Sequence, residues 1–216
     1  GVQTCALPIY VIFIVDAVSS LTALPIHFDT LGIDVLLAGV QKAFALPPGL
    51  AVFTCSPAAL AKAATAKDRG YYFDFVEFQM NAEQHMTPST PSISHVYALS
   101  SKLDDIFAEG LEARYARHRQ TNQMTRDWAA RHGFTLFPEP GFESVTLCCV
   151  NNGARPGGRT VDVAKLQKLV KDQGFLIDGG YGKIKGTTFR ISNMGDETPA
   201  TMNTLYAALD AAMKQL

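Results

Sequence analysis

Hydrophobic and polar positions alternate along this chain in blocks that predict strands with helical crossovers first and a smaller α+β unit afterwards. Tyr10–Val15 is a run in which four of six residues are β-branched, with aromatics beside them, and it stops at Asp16. That composition predicts a buried strand. Asp34–Ala38 and Leu50–Thr54 read as the next two strands, and Pro57–Lys67 as a helix with proline in its first turn. Lys67–Gly70 is a polar break, Tyr71–Phe78 is aromatic-rich, and Thr87–Ser92 is a Pro/Ser/Thr loop.

A long helical pattern begins near Val96. Val96, Leu99, Leu103, Ile106, Phe107 and Leu111 recur at spacings of three and four, and the pattern extends to Arg131 with a break or bend at Gly110. Phe134–Phe137, Val145–Val150, Phe175–Ile177 and Thr188–Ser192 read as strands. Thr160–Asp172 reads as a helix capped by Thr160 and stopped by Gly174, and Thr198–Gln215 as a closing amphipathic helix. The organisation predicted is a leader at 1–9, a partial large domain at 10–95, a connecting long helix at 96–131 and a small α+β domain at 132–216.

Composition narrows the function classes. Nineteen Lys plus Arg against twenty Asp plus Glu give a formal charge of −1 over 216 residues, which argues against a nucleic-acid partner. The apolar run Cys5–Val15 contains Pro8 and is far short of the roughly 20 residues of a membrane span, so no membrane partner is expected. Cys5, Cys55, Cys148 and Cys149 form no C-x-x-C pair, which points to a reducing, cytoplasmic setting without a metal site. The chain opens on Gly, and Gly1–Ile9 has no clean period before a strand already in mid-fold. It reads as a foreign leader, such as translated adapter sequence, on the C-terminal part of something longer.

The chemistry concentrates at two strand ends. Asp16 closes the first apolar strand, and Lys42 follows the second, 26 residues on, with no other charge between Gly39 and Gly49. Two parallel strands joined by one crossover would carry both groups on the edge where open α/β sheets bind ligands. A partly desolvated amine there suits a nucleophile that forms a Schiff base, and a nearby carboxylate suits a protonated pyridine nitrogen. The bland alternatives are a surface lysine and a turn-forming aspartate. The five histidines show no ligand spacing and read as solvated or capping, and Asp104-Asp105 as a solvent face.

The stretch VDAVSSLTALPIHFDTLGIDVLLAGVQKAFALPPGLAV closely resembles the central motif of the class V aminotransferases, the fold-type I pyridoxal-phosphate enzymes, nearest to their alanine–glyoxylate and serine–pyruvate group. The resemblance runs from about Val11 to the end. It implies the C-terminal part of a mostly parallel large-domain sheet followed by a smaller α+β domain. It also implies pyridoxal 5'-phosphate as cofactor. Asp16 would face the pyridine nitrogen, Val18 the ring, and Gln41 the phosphate. Lys42 would be the Schiff-base lysine and proton shuttle. TPSTPSISHVYAL resembles the segment before the family's long helix, where Thr90 would reach the phosphate held by the partner subunit of a homodimer. GTTFRISNMGD resembles the strand whose arginine, here Arg190, grips the substrate carboxylate. Gln41 rather than His before the lysine, and Cys148-Cys149 in a strand, speak against a cysteine desulfurase.

The implied reaction moves an amino group from alanine or serine to the 2-oxo acid glyoxylate or pyruvate. The alternatives are a 2-aminoethylphosphonate–pyruvate or phosphoserine aminotransferase, and a non-catalytic fragment. The phosphate-cradling turn and ring-stacking aromatic that the family carries upstream have no counterpart here, so these 216 residues alone are expected not to transaminate.

Overall fold

The computed structural model describes residues 11–153 and 155–216; the Gly1–Ile9 leader and Tyr10 lie outside them. Two compact units are formed. One runs up to Leu21 and continues through Pro25–Asp105; the other comprises Thr22–Leu24 and Ile106–Leu216.

In the first unit, β1 (Ile14–Asp16), β2 (Val35–Gly39) and β3 (Ala51–Cys55) form a sheet in that order. β1 and β2 are parallel, with Asp16 opposite Leu37. β3 is antiparallel to β2, pairing Gly39 with Ala51 and Val35 with Cys55. The link between β2 and β3 is too short for the crossover that a parallel return requires, so the chain folds back on itself, with the Val40 N–H donating to the Leu50 carbonyl at 3.1 Å. β2 is buried almost throughout, and Ala17, Ile33 and Leu36 form a core with Phe13, Val15, Leu21, Ile26 and Phe28 packed around it.

Helix α1 (Pro57–Ala64) starts at Ser56, whose hydroxyl accepts from the Ala59 N–H at 3.0 Å and donates to Asp34 at 2.6 Å. The aromatic stretch resolves into a helix that hydrophobicity alone did not indicate, α2 (Phe75–Ala82), capped by Asp74. Phe75 and Phe78 pack on Phe53 of β3 with ring centroids 5.5 and 5.1 Å apart. α3 (Ile93–Glu109) and α4 (Leu111–Arg131) are separated at Gly110, whose φ of 84° is in the region glycine tolerates. The expected apolar stripe of α3 is only partly buried: Ile106 is buried, Leu99 and Leu103 are half-buried, and Val96 and Phe107 are 45% and 66% accessible.

The second unit is an antiparallel sheet, β4 (Thr135–Leu136), β5 (Leu147–Asn151) and β6 (Thr188–Ser192), with α4 against β4 and β5, α5 (Val163–Lys171) and α6 (Pro199–Met213). Trp128 is fully buried at its centre among Phe134, Phe189 and Tyr206. α4 buries a face that is largely polar: Arg114, His118, Thr121, Asn122 and Thr125 precede Trp128 on it. Asn193 satisfies much of that face, donating to the His118 carbonyl and to Thr121 Oγ1, each at 3.0 Å.

Three expectations are corrected. Phe175–Ile177 is not a strand; the chain there makes a single bridge, Asp178 to Arg190. α5 is capped by Asp162, which accepts from the Lys165 N–H at 3.0 Å, instead of by Thr160. The histidines are not uniformly solvated or capping. His132 does cap α4, but His118 is wholly buried, its Nδ1 against the Arg114 carbonyl at 2.9 Å, and burial lowers its pKa.

Candidate active site

Asp16 ends β1, and its Oδ1 accepts from the Val18 N–H at 2.9 Å, so a tight turn fixes the carboxylate at the C-terminal edge of the parallel pair. The chain then turns through Ser20 and Leu21, both donating to the Ala17 carbonyl. Lys42 lies just beyond β2 at the same edge, half-buried between the buried Val40 and Ala43. Its loop is closed by Ala45 N–H to the Lys42 carbonyl at 2.9 Å and Leu46 N–H to the Val40 carbonyl at 3.1 Å. Ala45 adopts φ 60°, a conformation costly for a residue with a Cβ and held here by those two bonds. Among the described residues, neither Asp16 nor Lys42 has an ion-pair partner.

Gln41 is exposed, and its amide folds over Gly39, with Cδ 3.0 Å from where a Cβ on that glycine would stand. Thr90 is exposed in the loop before α3. The link between that loop and the lysine loop is His95, which sequence reasoning passed over. Its Nδ1 is 2.8 Å from Ser92 Oγ and its Nε2 3.2 Å from the Pro48 carbonyl. Gly49, with φ 148°, leaves the space that the imidazole occupies. The only sequence signal was a histidine three residues after a serine at a helix start, which is also ordinary capping chemistry.

Arg190 lies in the second unit on β6, flanked by the buried Phe189 and Ile191, so alternation turns its side chain to the other face. Its Nη2 is 2.8 Å from Asp178 Oδ2, and its guanidinium carbon lies 4.0 Å from the centroid of the Tyr181 ring. Burial raises the pKa of Asp178, but the Arg190 guanidinium, the Tyr181 hydroxyl and the Gly180 N–H outweigh it and hold the carboxyl below its ordinary value. Beside it is a depression of about 720 Å³, lined by Ile177, Asp178, Tyr181 and Lys185 among others.

The groups at the first sheet edge are the Lys42 amine and the Asp16 carboxylate, neither in an ion pair among the described residues, with the Gln41 amide next in the chain. That set suits an aldehyde-bearing heteroaromatic anion. No group of three metal-ligating side chains occurs among the described residues, and no helix among them is long and apolar enough to cross a membrane.

The sequence matches the family described as Aminotransferase class-V over residues 7–180. It is 32% identical over 206 residues to the soluble hydrogenase small subunit of Synechococcus sp., covering 95% of this chain and 52% of that protein. It is 31% identical to the serine–glyoxylate aminotransferase of Arabidopsis thaliana, covering 95% and 51%. The structure superposes on the alanine–glyoxylate aminotransferase of Nostoc sp. with a TM-score of 0.83 at 26% identity, covering 94% of this chain and 54% of that one. The chain thus spans about half the length of the curated relatives it matches.

Proposed function

The chain belongs to the class-V aminotransferases, and on that premise we propose that it is the lysine-bearing part of a pyridoxal 5'-phosphate-dependent transaminase acting between alanine or serine and glyoxylate or pyruvate. The observation that carries this reading is the pairing of Asp16 and Lys42 on one edge of the parallel strands, each without a counterion among the described residues. When bound, pyridoxal 5'-phosphate supplies an aldehyde that takes up the amino group and a ring that serves as an electron sink. Asp16, with Oδ1 already engaged by the Val18 N–H, presents Oδ2 to a ring N–H. Lys42 would hold the cofactor through its amine, and the same Nζ would serve as the base and acid that moves the substrate Cα proton. Val18 would pack on the ring, Gln41 and Thr90 would donate to the phosphate, and Arg190 would orient the substrate carboxylate with paired N–H donors.

The same reading makes the first unit a partial cofactor domain and the part after about His132 a substrate-binding domain, working as a homodimer to which Thr90 contributes across the interface. The same reading places the protein in the cytoplasm.

The test is Lys42→Ala in the intact protein that carries this chain. The variant is expected to lose the visible absorption of the cofactor-loaded protein, covalent retention of the cofactor after borohydride reduction, and amino transfer from alanine to glyoxylate. Normal turnover in that variant would remove Lys42 from the reaction.

A further inference from the structure

Arg190 is held by its own fold. Asp178 and Arg190 exchange both backbone hydrogen bonds, at 2.7 and 3.2 Å, which fixes the register of the two side chains. Asp178 Oδ1 takes the Gly180 N–H at 2.8 Å, and Oδ2 is left for Nη2 of Arg190. Gly180 is obligatory here: with φ 80°, a Cβ would run into Thr188 Oγ1 and the Ile184 carbonyl. Tyr181 covers one face of the guanidinium. Arg190 Nε is buried and has no hydrogen-bond partner among the described residues. A ligand carboxylate approaching this guanidinium therefore meets a carboxylate already in place.

We propose that Asp178 is a specificity-determining residue: an internal carboxylate that shares Arg190 with the incoming ligand and makes the site favour a ligand with one carboxylate over a ligand with two. This rests on reading Arg190 as the receiver of the substrate carboxylate. The charges support it. The depression beside Arg190 is lined by one cation, Lys185, and one anion, Asp178. With Arg190 the set carries one net positive charge, which a single carboxylate balances. A second carboxylate leaves this set of groups net negative, facing Asp178 as a like charge. Cys149, opposite Arg190 on β5, adds no charge, because burial pushes its thiol up. The side chain selected is therefore small and uncharged, and an acidic or phosphorylated one is disfavoured.

Asp178→Asn keeps the acceptor for the Gly180 N–H and replaces the oxygen facing Arg190 Nη2 with an amide NH2, so it removes the charge and that ion pair together. Two readouts apply to the intact protein. In the first, propionate and succinate are titrated against the Arg190 Nε–H resonance. The succinate-to-propionate affinity ratio is expected to rise about tenfold in Asp178→Asn and to stay within twofold of wild type in Asp178→Glu. In the second, the alanine-to-aspartate ratio of kcat/KM in the cofactor-loaded protein should fall about tenfold. Unchanged ratios in Asp178→Asn, or a shift of the same size in Asp178→Glu, overturn the proposal. If wild type shows no transamination while the anion ratio shifts as stated, the transaminase reading falls and the role of Asp178 stands.

Discussion

Replacing Glu109 by Gln tests how the second unit is clamped at the helix break. Glu109 ends α3, and its carboxylate accepts from Arg117 Nε at 2.6 Å, Arg117 Nη2 at 2.9 Å and Arg114 Nη1 at 2.9 Å, both arginines lying on α4. Arg117 in turn donates to the carbonyls of Gly195 and Glu197, so the carboxylate helps fix the segment that leads into α6. Its hydrogen bonds to Arg117, opposed by burial and joined by Arg114, hold its pKa down at about 2, from 4.5. At about 1.4 kcal/mol per unit, that drop bounds the stabilisation at about 3.5 kcal/mol. Glu109 is 26% accessible, and water screens part of the attraction. Glutamine also keeps one acceptor, which leaves an expected loss of about 1–2 kcal/mol.

The folded pKa lies below the unfolded one, so the contribution is complete above about pH 4.5 and is lost as pH falls toward about 2. Urea unfolding read by the fluorescence of Trp128, the only tryptophan in the chain, should show the difference between wild type and Glu109→Gln at pH 7. More than half of that difference should be gone by about pH 3. A difference of the same size at both pH values, or none at pH 7, would refute the electrostatic account of the clamp.

Arg190→Ala is expected to leave the visible absorption of the cofactor-loaded protein intact and to cut kcat/KM for amino acids by about thirty- to a thousandfold, equivalent to roughly 2–4 kcal/mol; unchanged kinetics would make Arg190 a surface residue. Gly49→Ala places a Cβ 2.7 Å from the His95 ring at φ 148°. It should weaken pyridoxal 5'-phosphate binding, followed by visible titration, through displacement of the Lys42 loop. Adding His95→Ala should recover part of the loss, and independent effects of the two changes would show that the ring and the loop are uncoupled.

What was legible in the sequence was local. Thr188–Ser192 alternates around Arg190 and is a strand with those bounds. Gly110 interrupts a helical pattern and separates two helices there. The closing helix, expected over Thr198–Gln215, is α6 at Pro199–Met213. The less legible features depend on distant partners. Nothing local tells Ala51–Cys55 to run antiparallel; that follows from the shortness of the loop before it. The inner face of α4 is polar and becomes interior only because Asn193 and Tyr206 supply its hydrogen bonds. At the candidate site, Asp16 and Lys42 could be paired from strand ends alone. The roles of His95 and Asp178 could not, since each works through a group, Pro48 or Arg190, that other elements bring to it.

The confinement of Arg190 between Asp178 and Tyr181 also has an entropic side. A free arginine side chain gives up about 2 kcal/mol of rotamer freedom when it is fixed in one geometry. Here much of that freedom is surrendered when the chain folds, so it does not weigh against each encounter with a carboxylate. The guanidinium meets its ligand already oriented, and the association is correspondingly less sensitive to side-chain ordering than that of an extended, solvated arginine.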